Sequence, residues 1–583
     1  MYVRTTPRKN KDGSVVRYLQ LAHNTWDPVA KRSRAQVIYN FGREDASSRT
    51  ALERLAGSLS RFLSPEPDPQ ATLFAAGEGF EFLGSRPLGG SYALDGLWQR
   101  LGIDAVMRRL LKGRRRDERA ERVLFALVAN RALAPSSKLA AARWICEDVH
   151  IAGLPETSDD ACYRAMDWLL LVQPALEKEV FHQVASLLNL EVDLLFFDTT
   201  STYFELDEAD APVARDARGR RLPALDEIDG SGDGEGEDRG KADTAGFRTY
   251  GKSKDHRDDL PQVVIGMAVT RTGIPVRVWS WPGSTADSAL IRQVKDELRD
   301  WTLSRVVWVA DRGFASAENR RFLRRGAHHY IIGERLRSGS TEARAALARA
   351  GRYQAVAEGL RVKEVRIAEG ERFVICYNPE GAARDAAVRA RLLARLTEMI
   401  AASDRLSATR RAELRGVIST RPGLARYLRL TAGGLLRIDE GALKAEAKLD
   451  GKYLLRSSDP ELSAEDIALG YKQLYEVERG WRDMKQVIDL RPVYHRKEER
   501  IRAHVVLCWL ALLLIRVTET SCDGAWPNLR RELERLKVGT FTGPAGSFRQ
   551  RTEITAPQRA ILGKLELAEP PRIQQLTPAL EAS

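Results

Sequence analysis

The sequence predicts an α/β protein: a mixed sheet flanked by helices, with an all-helical domain before it and a β-rich insertion inside it. Three observations carry this. Residues 194–197 and 306–310 are unbroken apolar runs, each followed at once by a carboxylate, Asp198 or Asp311. Such runs suit strands covered on both faces. Between them, strands at 262–269 and 274–281 flank the turn Thr270-Arg271-Thr272-Gly273, the pattern of an antiparallel hairpin. From 93 to 188 the apolar period is helical instead, as in Leu94, Leu97 and Leu101, then Val123, Leu124, Leu127 and Val128.

Bulk numbers narrow the classes. At 583 residues the chain has room for about four domains. Its composition, 43% hydrophobic and 30% charged, is globular and allows sizeable cores. A net charge of +12 and a pI of about 9.4 point to a polyanionic partner, nucleic acid first. Charge alone also fits an ordinary basic protein. The cysteines, Cys146, Cys162, Cys376, Cys508 and Cys522, form no CxxC pair and read as free thiols in a reducing cytoplasm. The start, Met1-Tyr2-Val3-Arg4, has no apolar signal core. The longest apolar run, 505–515, falls short of the roughly 20 residues that span a bilayer. A buried helix is expected there, and no membrane partner.

In chain order, residues 1–64 read as a basic β-ribbon followed by a helix at 50–63. Pro65-Glu66-Pro67-Asp68-Pro69 is a stiff linker. Residues 65–188 form a helical DNA-binding domain. There Arg114, Arg115 and Arg116, with Arg108, Arg109, Lys112 and Arg119, make the densest basic patch, which suits a DNA backbone and equally a solvated face. Residues 189–334 are the first part of the core. Within them an acidic, glycine-rich loop at 205–246 reads as disordered. Lys252, Lys254, His256 and Arg257 then precede a core strand, where they can approach DNA. For any single one of them an exposed basic turn is the plainer reading. Hairpin, amphipathic helix and second Asp strand follow. That order is the skeleton of a ribonuclease H-like sheet, in which the fourth strand runs parallel to the first. Asp198 and Asp311 then lie on adjacent strands at the edge where α/β sheets bind ligands. A fifth strand at 330–333, the insertion at 335–460, the second part of the core at 461–540 and a tail at 541–583 complete the chain.

The third acid comes from that second part. Ser463 followed by Glu465 and Asp466 opens a helix. Tyr471, Leu474, Glu478, Trp481 and Lys485 recur at offsets of three and four, so they share one face of a single helix. Leu474 and Trp481 mark that face as buried, and a carboxylate there is costly unless paired or on a metal. A buried ion pair with an arginine is the plain alternative. With Asp198 and Asp311, Glu478 completes a set of hard oxygen donors suited to Mg2+ ions that clamp both oxygens of a reacting phosphodiester. Tyr471 and Lys485, on either side, can reach a phosphate, and Arg479 and Arg482 flank them. Glu476 is a neighbouring acid that falls off the stripe.

Asp198-Thr199-Thr200, Asp311-Arg312-Gly313 and Tyr471…Glu478…Lys485 together resemble the DDE transposases of the IS4-like insertion-sequence group, and its IS1634-type branch in particular. Tyr250-Gly251-Lys252-Ser253-Lys254-Asp255-His256-Arg257, Leu490-Arg491-Pro492-Val493-Tyr494-His495-Arg496 and Ile501-Arg502-Ala503-His504 add to the likeness, which spans about 80 to 540. The resemblance implies catalytic and metal-holding roles for Asp198, Asp311 and Glu478, with Mg2+ as cofactor and Mn2+ serving in its place. It implies a β-rich domain inserted before the acid helix. It implies DNA as partner, both inverted-repeat ends and target, handled by a homodimer in the end-paired complex at the bacterial nucleoid. The group carries an arginine three residues after the tyrosine; here that residue is Leu474, so the phosphate contact must come from elsewhere, such as Arg479 or Arg482. The expected activity is end cleavage to free 3′-OH groups, then joining of those ends to target DNA. A metal-dependent nuclease of the same fold without strand transfer is the neighbouring alternative. A DNA-binding protein without catalysis is another, against which the intact acid triad argues.

Overall fold

The computed structural model describes residues 2–9, 15–27, 32–44, 80–112, 119–188, 193–216, 218–222, 243–301, 305–368, 371–543 and 546–578. The chain divides into two compact units, one of residues 191–481 and one of residues 1–190 with 482–583.

The unit of residues 191–481 is built on a nine-stranded mixed sheet. Its longest strand is β1 (Leu194–Tyr203), buried throughout except at Asp198 and Tyr203, which are half-buried. β2 (Gln262–Thr270) and β3 (Pro275–Pro282) fold back antiparallel as a hairpin. α1 (Asp287–Glu297) covers them. The Trp279 indole donates to Glu297 Oε2 at 3.0 Å and the Trp281 indole to Gln293 Oε1 at 3.0 Å, so two large rings are buried with their N–H groups satisfied. β4 (Val307–Ala310) runs parallel to β1. After α2 (Ala317–Leu323), β5 (His329–Glu334) runs parallel to β4. β6 (Gln354–Ala357), β7 (Leu360–Ala368), β8 (Glu371–Tyr377) and β9 (Lys452–Ser457) extend the same sheet, giving the order β6-β7-β8-β9-β5-β4-β1-β2-β3.

Several expectations change here. Asp198 does not end its strand. The β-branched Thr199, Thr200 and Thr202 carry β1 on to Tyr203 by pairing with β2. The insertion at 335–460 is mixed rather than β-rich. Its strands join the main sheet, and helices Pro379–Ile400, Ala408–Ser419 and Glu440–Ala447 bound a small core around Leu396, Ile418, Leu424 and Tyr427. The single acid-bearing helix is two, α3 (Ala464–Lys472) and α4 (Tyr475–Gln486). At the junction the bonds tighten to three-residue spans, Gln473 N–H to Gly470 O at 3.1 Å and Leu474 N–H to Tyr471 O at 3.0 Å. The offset rule therefore does not run through it.

In the unit of residues 1–190 with 482–583, helix Glu498–Cys522 is apolar on every side from Val505 to Ile515. By length and hydropathy it could cross a membrane, but 94% of its most apolar window is buried in the protein. It packs against Ala120–Leu133 and Asp159–Leu187. This places the expected boundary at 540 elsewhere: residues 461–481 stay with the sheet, and a helix with no polar face draws 482 onward to the helical part. The expected tail at 541–583 is folded too. Lys537–Gly543, Gly546–Arg551 and Ile573–Pro578 form a four-stranded sheet with Glu81–Pro87. Tyr2–Lys9, Val15–Asp27 and Arg32–Arg43 make a three-stranded antiparallel sheet. The expected helix at 50–63, the proline linker and Arg114, Arg115 and Arg116 lie outside the described residues, as does 223–242 of the acidic loop. Both ends of that loop, in the unit of residues 191–481, are ordered: Val213–Arg215 pairs with Asp243–Ala245, and Arg248 holds Asp210 at 2.5 Å.

Phe197 lies at 0% exposure with its ring 5.5 Å from Phe314 and 6.0 Å from Trp279. Phe197→Ala is expected to cost about 3–5 kcal/mol in urea unfolding. A loss under about 1 kcal/mol would mean that the site collapses around the cavity and that the ring is not a keystone.

Candidate active site

Backbone register brings the two aspartates together. Ala310 of β4 pairs with Phe197 of β1, so the next residues, Asp311 and Asp198, stand side by side where β4 ends. Both are half-buried. Burial raises the Asp198 carboxyl pKa. Lys254 and a backbone hydrogen bond from Thr199 oppose the rise, and the negative charges of Asp311 and Asp287 add to it.

Lys254 is not a free surface cation. Its ammonium donates to Thr199 O at 2.7 Å and Thr199 Oγ1 at 2.6 Å, and lies 3.2 Å from Asp287 Oδ2 and 3.6 Å from Asp198 Oδ1. Its backbone N–H donates to Ser201 Oγ at 2.9 Å. The loop that carries it is held close to the sheet, because a Cβ on Gly251 would strike the Gly283 carbonyl. Asp287, the first residue of α1, was not singled out from the sequence. An acid in a first helical turn reads as a dipole partner, and nothing local distinguishes it.

Tyr471 also turns inward. Its hydroxyl donates to Asp311 Oδ1 at 3.2 Å, where a phosphate contact was expected. Burial and the Asp311 charge push its phenol pKa up, so it stays a donor. Gly333 leaves room for it: a Cβ there would sit 2.5 Å from the hydroxyl. Asp311, Tyr471, Leu474 and the exposed Glu478 line one cavity of about 540 Å³, together with Arg312, Arg337, Lys452 and Lys472. Glu476 lies against Gly273 in the β2–β3 turn and pairs with Arg479 at 3.6 Å, and it does not line that cavity.

The structure thus brings Asp198 to Asp311, and Glu478 to the cavity that Asp311 floors. Among the described residues no three His, Cys, Asp or Glu side chains stand as a ready-made metal cage. The donor set nevertheless fits a hard divalent cation: clustered carboxylate oxygens, with Asp198 crowded by Asp311 and Asp287. Lys252 is exposed, and Arg257 pairs with Asp259 at 2.8 Å over the Tyr203 ring. Arg482 and Lys485 follow the division between the units, which falls inside α4.

Two family models match the chain. A transposase DDE domain matches residues 233–514, a span that includes Asp311 and Glu478 and begins after Asp198. An IS1634 family transposase N-terminal domain matches residues 3–70. Among solved structures, a cryo-EM structure of a piggyBac transposase synaptic complex with hairpin DNA is similar at 11% identity and a TM-score of 0.34, over 83% of this chain and 82% of that one. No curated protein matches.

A raised folded pKa means that ionising Asp198 costs stability. The cost is absent below the ordinary carboxylate range and grows as pH rises through the raised value. In chelator, Asp198→Asn is expected to melt above the wild type at neutral pH, with the gap closing toward pH ~4. Calorimetry across pH checks this, and a gap of constant size would remove the electrostatic explanation.

Proposed function

The chain belongs to the IS1634-type DDE transposases, and from that premise we propose that Asp198, Asp311 and Glu478 carry its cutting and joining of DNA. The reaction is two transfers at phosphorus. First, water attacks the phosphodiester at each end of the element, the P–O3′ bond breaks, and the departing oxygen takes up a proton as a free 3′-OH. Then that 3′-OH gives up its proton and attacks a target phosphodiester, displacing the target's own 3′ oxygen.

The observation that carries this reading is the register that sets Asp198 beside Asp311 on parallel strands. The strand order β3-β2-β1-β4-β5 within the larger sheet supports a ribonuclease H-like core. Divalent cations held by these acids, Mg2+ or Mn2+ in its place, would supply Lewis-acid activation of the attacking oxygen and charge stabilisation of the leaving one. The chain's own groups do the rest. Tyr471 orients the Asp311 carboxylate through its hydroxyl. Arg312, Arg337, Lys452 and Lys472 bind phosphate at the cavity where the family arginine is replaced by Leu474. Lys252, Arg257, Arg479, Arg482, Lys485 and Arg114, Arg115 and Arg116 hold the DNA backbone. The protein works as a homodimer on paired inverted-repeat ends, in the bacterial cytoplasm at the nucleoid.

Asp311→Asn is expected to lower end cleavage by roughly a thousandfold or more. The affinity for an end duplex should stay within about threefold, as filter binding would show. Retained cleavage would refute the acid assignment, and cleavage by the wild type without joined product on a target plasmid would favour the nuclease reading. Tyr471→Phe should fold normally and cut about tenfold more slowly, with DNA affinity unchanged. Single-turnover rates equal to the wild type would leave the hydroxyl without a role in orienting Asp311.

A further inference from the structure

We propose that Lys254 is a positioning residue of the reaction centre, and that Asp287 is a fourth acid of that centre, the pair fixing the Asp198 carboxylate beside Asp311. The proposal rests on the three-acid reading above and adds two residues to it.

The geometry leaves Lys254 little freedom. An ammonium has three donors and no acceptor. Two of them reach Thr199, at the carbonyl (2.7 Å) and the hydroxyl (2.6 Å). The third faces Asp287 at 3.2 Å, with Asp198 at 3.6 Å. The backbone amide of the same residue is bonded to Ser201, so both ends of Lys254 are tied to β1. One residue earlier, the Ser253 N–H donates to Asp258 Oδ1 at 2.6 Å and closes the loop from the outside. A compact point charge suits this cradle; a planar guanidinium would not reach a carbonyl, a hydroxyl and two carboxylates from one atom. With its donors so committed, Lys254 is worse placed to grip a DNA phosphate than its exposed neighbour Lys252. Asp287 enters through the same ammonium. It opens α1, which Trp279 and Trp281 hold on the sheet through Glu297 and Gln293, and its carboxylate lies 3.2 Å from the Lys254 ammonium.

Three measurements on the full-length protein test this: Mn2+ binding by titration calorimetry, end-duplex binding by anisotropy over a range of salt, and single-turnover cleavage. Lys254→Met removes a like charge from the cation's surroundings and is expected to tighten Mn2+ binding by about tenfold. Cleavage at saturating Mn2+ should nevertheless fall by about tenfold or more. Duplex affinity and its salt slope should not move. Asp287→Asn should shift Mn2+ affinity the other way, by about tenfold. The proposal is overturned if Lys254→Met weakens duplex binding and flattens the salt slope by about one while Mn2+ binding is unchanged, for that marks a phosphate contact. It is equally overturned if only the melting temperature changes. Should Lys254→Met not fold, Asp287→Asn decides alone, and unchanged Mn2+ affinity counts against the proposal. If Asp198→Asn binds Mn2+ as the wild type does, the three-acid reading is what fails.

Discussion

Two carboxylates side by side at the end of a buried strand pair is the constraint from which the local architecture follows. Parallel pairing of β4 with β1 leaves no choice about it. Once Ala310 faces Phe197, Asp311 must stand next to Asp198. Like charges at that spacing repel, and a half-buried carboxylate has lost part of its hydration. The surroundings answer with donors. Lys254 approaches Asp198, and Tyr471 donates to Asp311. Close approaches accompany both donors: the loop of Lys254 meets the Gly283 carbonyl at Gly251, and the Tyr471 hydroxyl fills the space beside Gly333.

Much of this centre was legible in the sequence because burial on both faces writes an unmistakable pattern. An apolar run of four or five residues that stops at an aspartate can be read without a structure, and the hairpin turn fixes the intervening strands. Glu478 and Tyr471 were picked out by spacing along a single helix, a rule that the junction between α3 and α4 breaks. The tight junction at Gln473 and Leu474 is preceded by Gly470, whose carbonyl accepts the first tightened bond, but a lone glycine inside a helical pattern does not by itself mark a break. Lys254 and Asp287 were not legible as partners. They are 33 positions apart by residue number, and what joins them is a cradle of Thr199 oxygens that sequence spacing does not encode.

The same logic explains the misjudged boundaries. Strands at Lys537–Gly543 and Gly546–Arg551 are rich in glycine, threonine and arginine, with no alternation strong enough to mark them, and their partner Glu81–Pro87 is far away in sequence. Helix Glu498–Cys522 showed its burial plainly, but not which neighbours would bury it. Inside the insertion, strand pattern was clear at 361–368 and 371–377. Their merger with the main sheet depended on β9, which returns only after a long helical excursion.

That merger also fixes where the chain can change length. β9 is stitched on one edge to β5, with Leu455 opposite Gly333, and on the other to β8, with Leu455 opposite Val374. A slip of one residue in β9 would turn every one of its side chains to the opposite face and carry Tyr453 away from the Tyr471 ring it stacks on. A change of length between Tyr377 and Lys452, among the helices, leaves both of these registers as they are, whereas one inside β8 or β9 does not. The strands on either side must keep count, residue for residue, or the enzyme loses its bearing on Asp311.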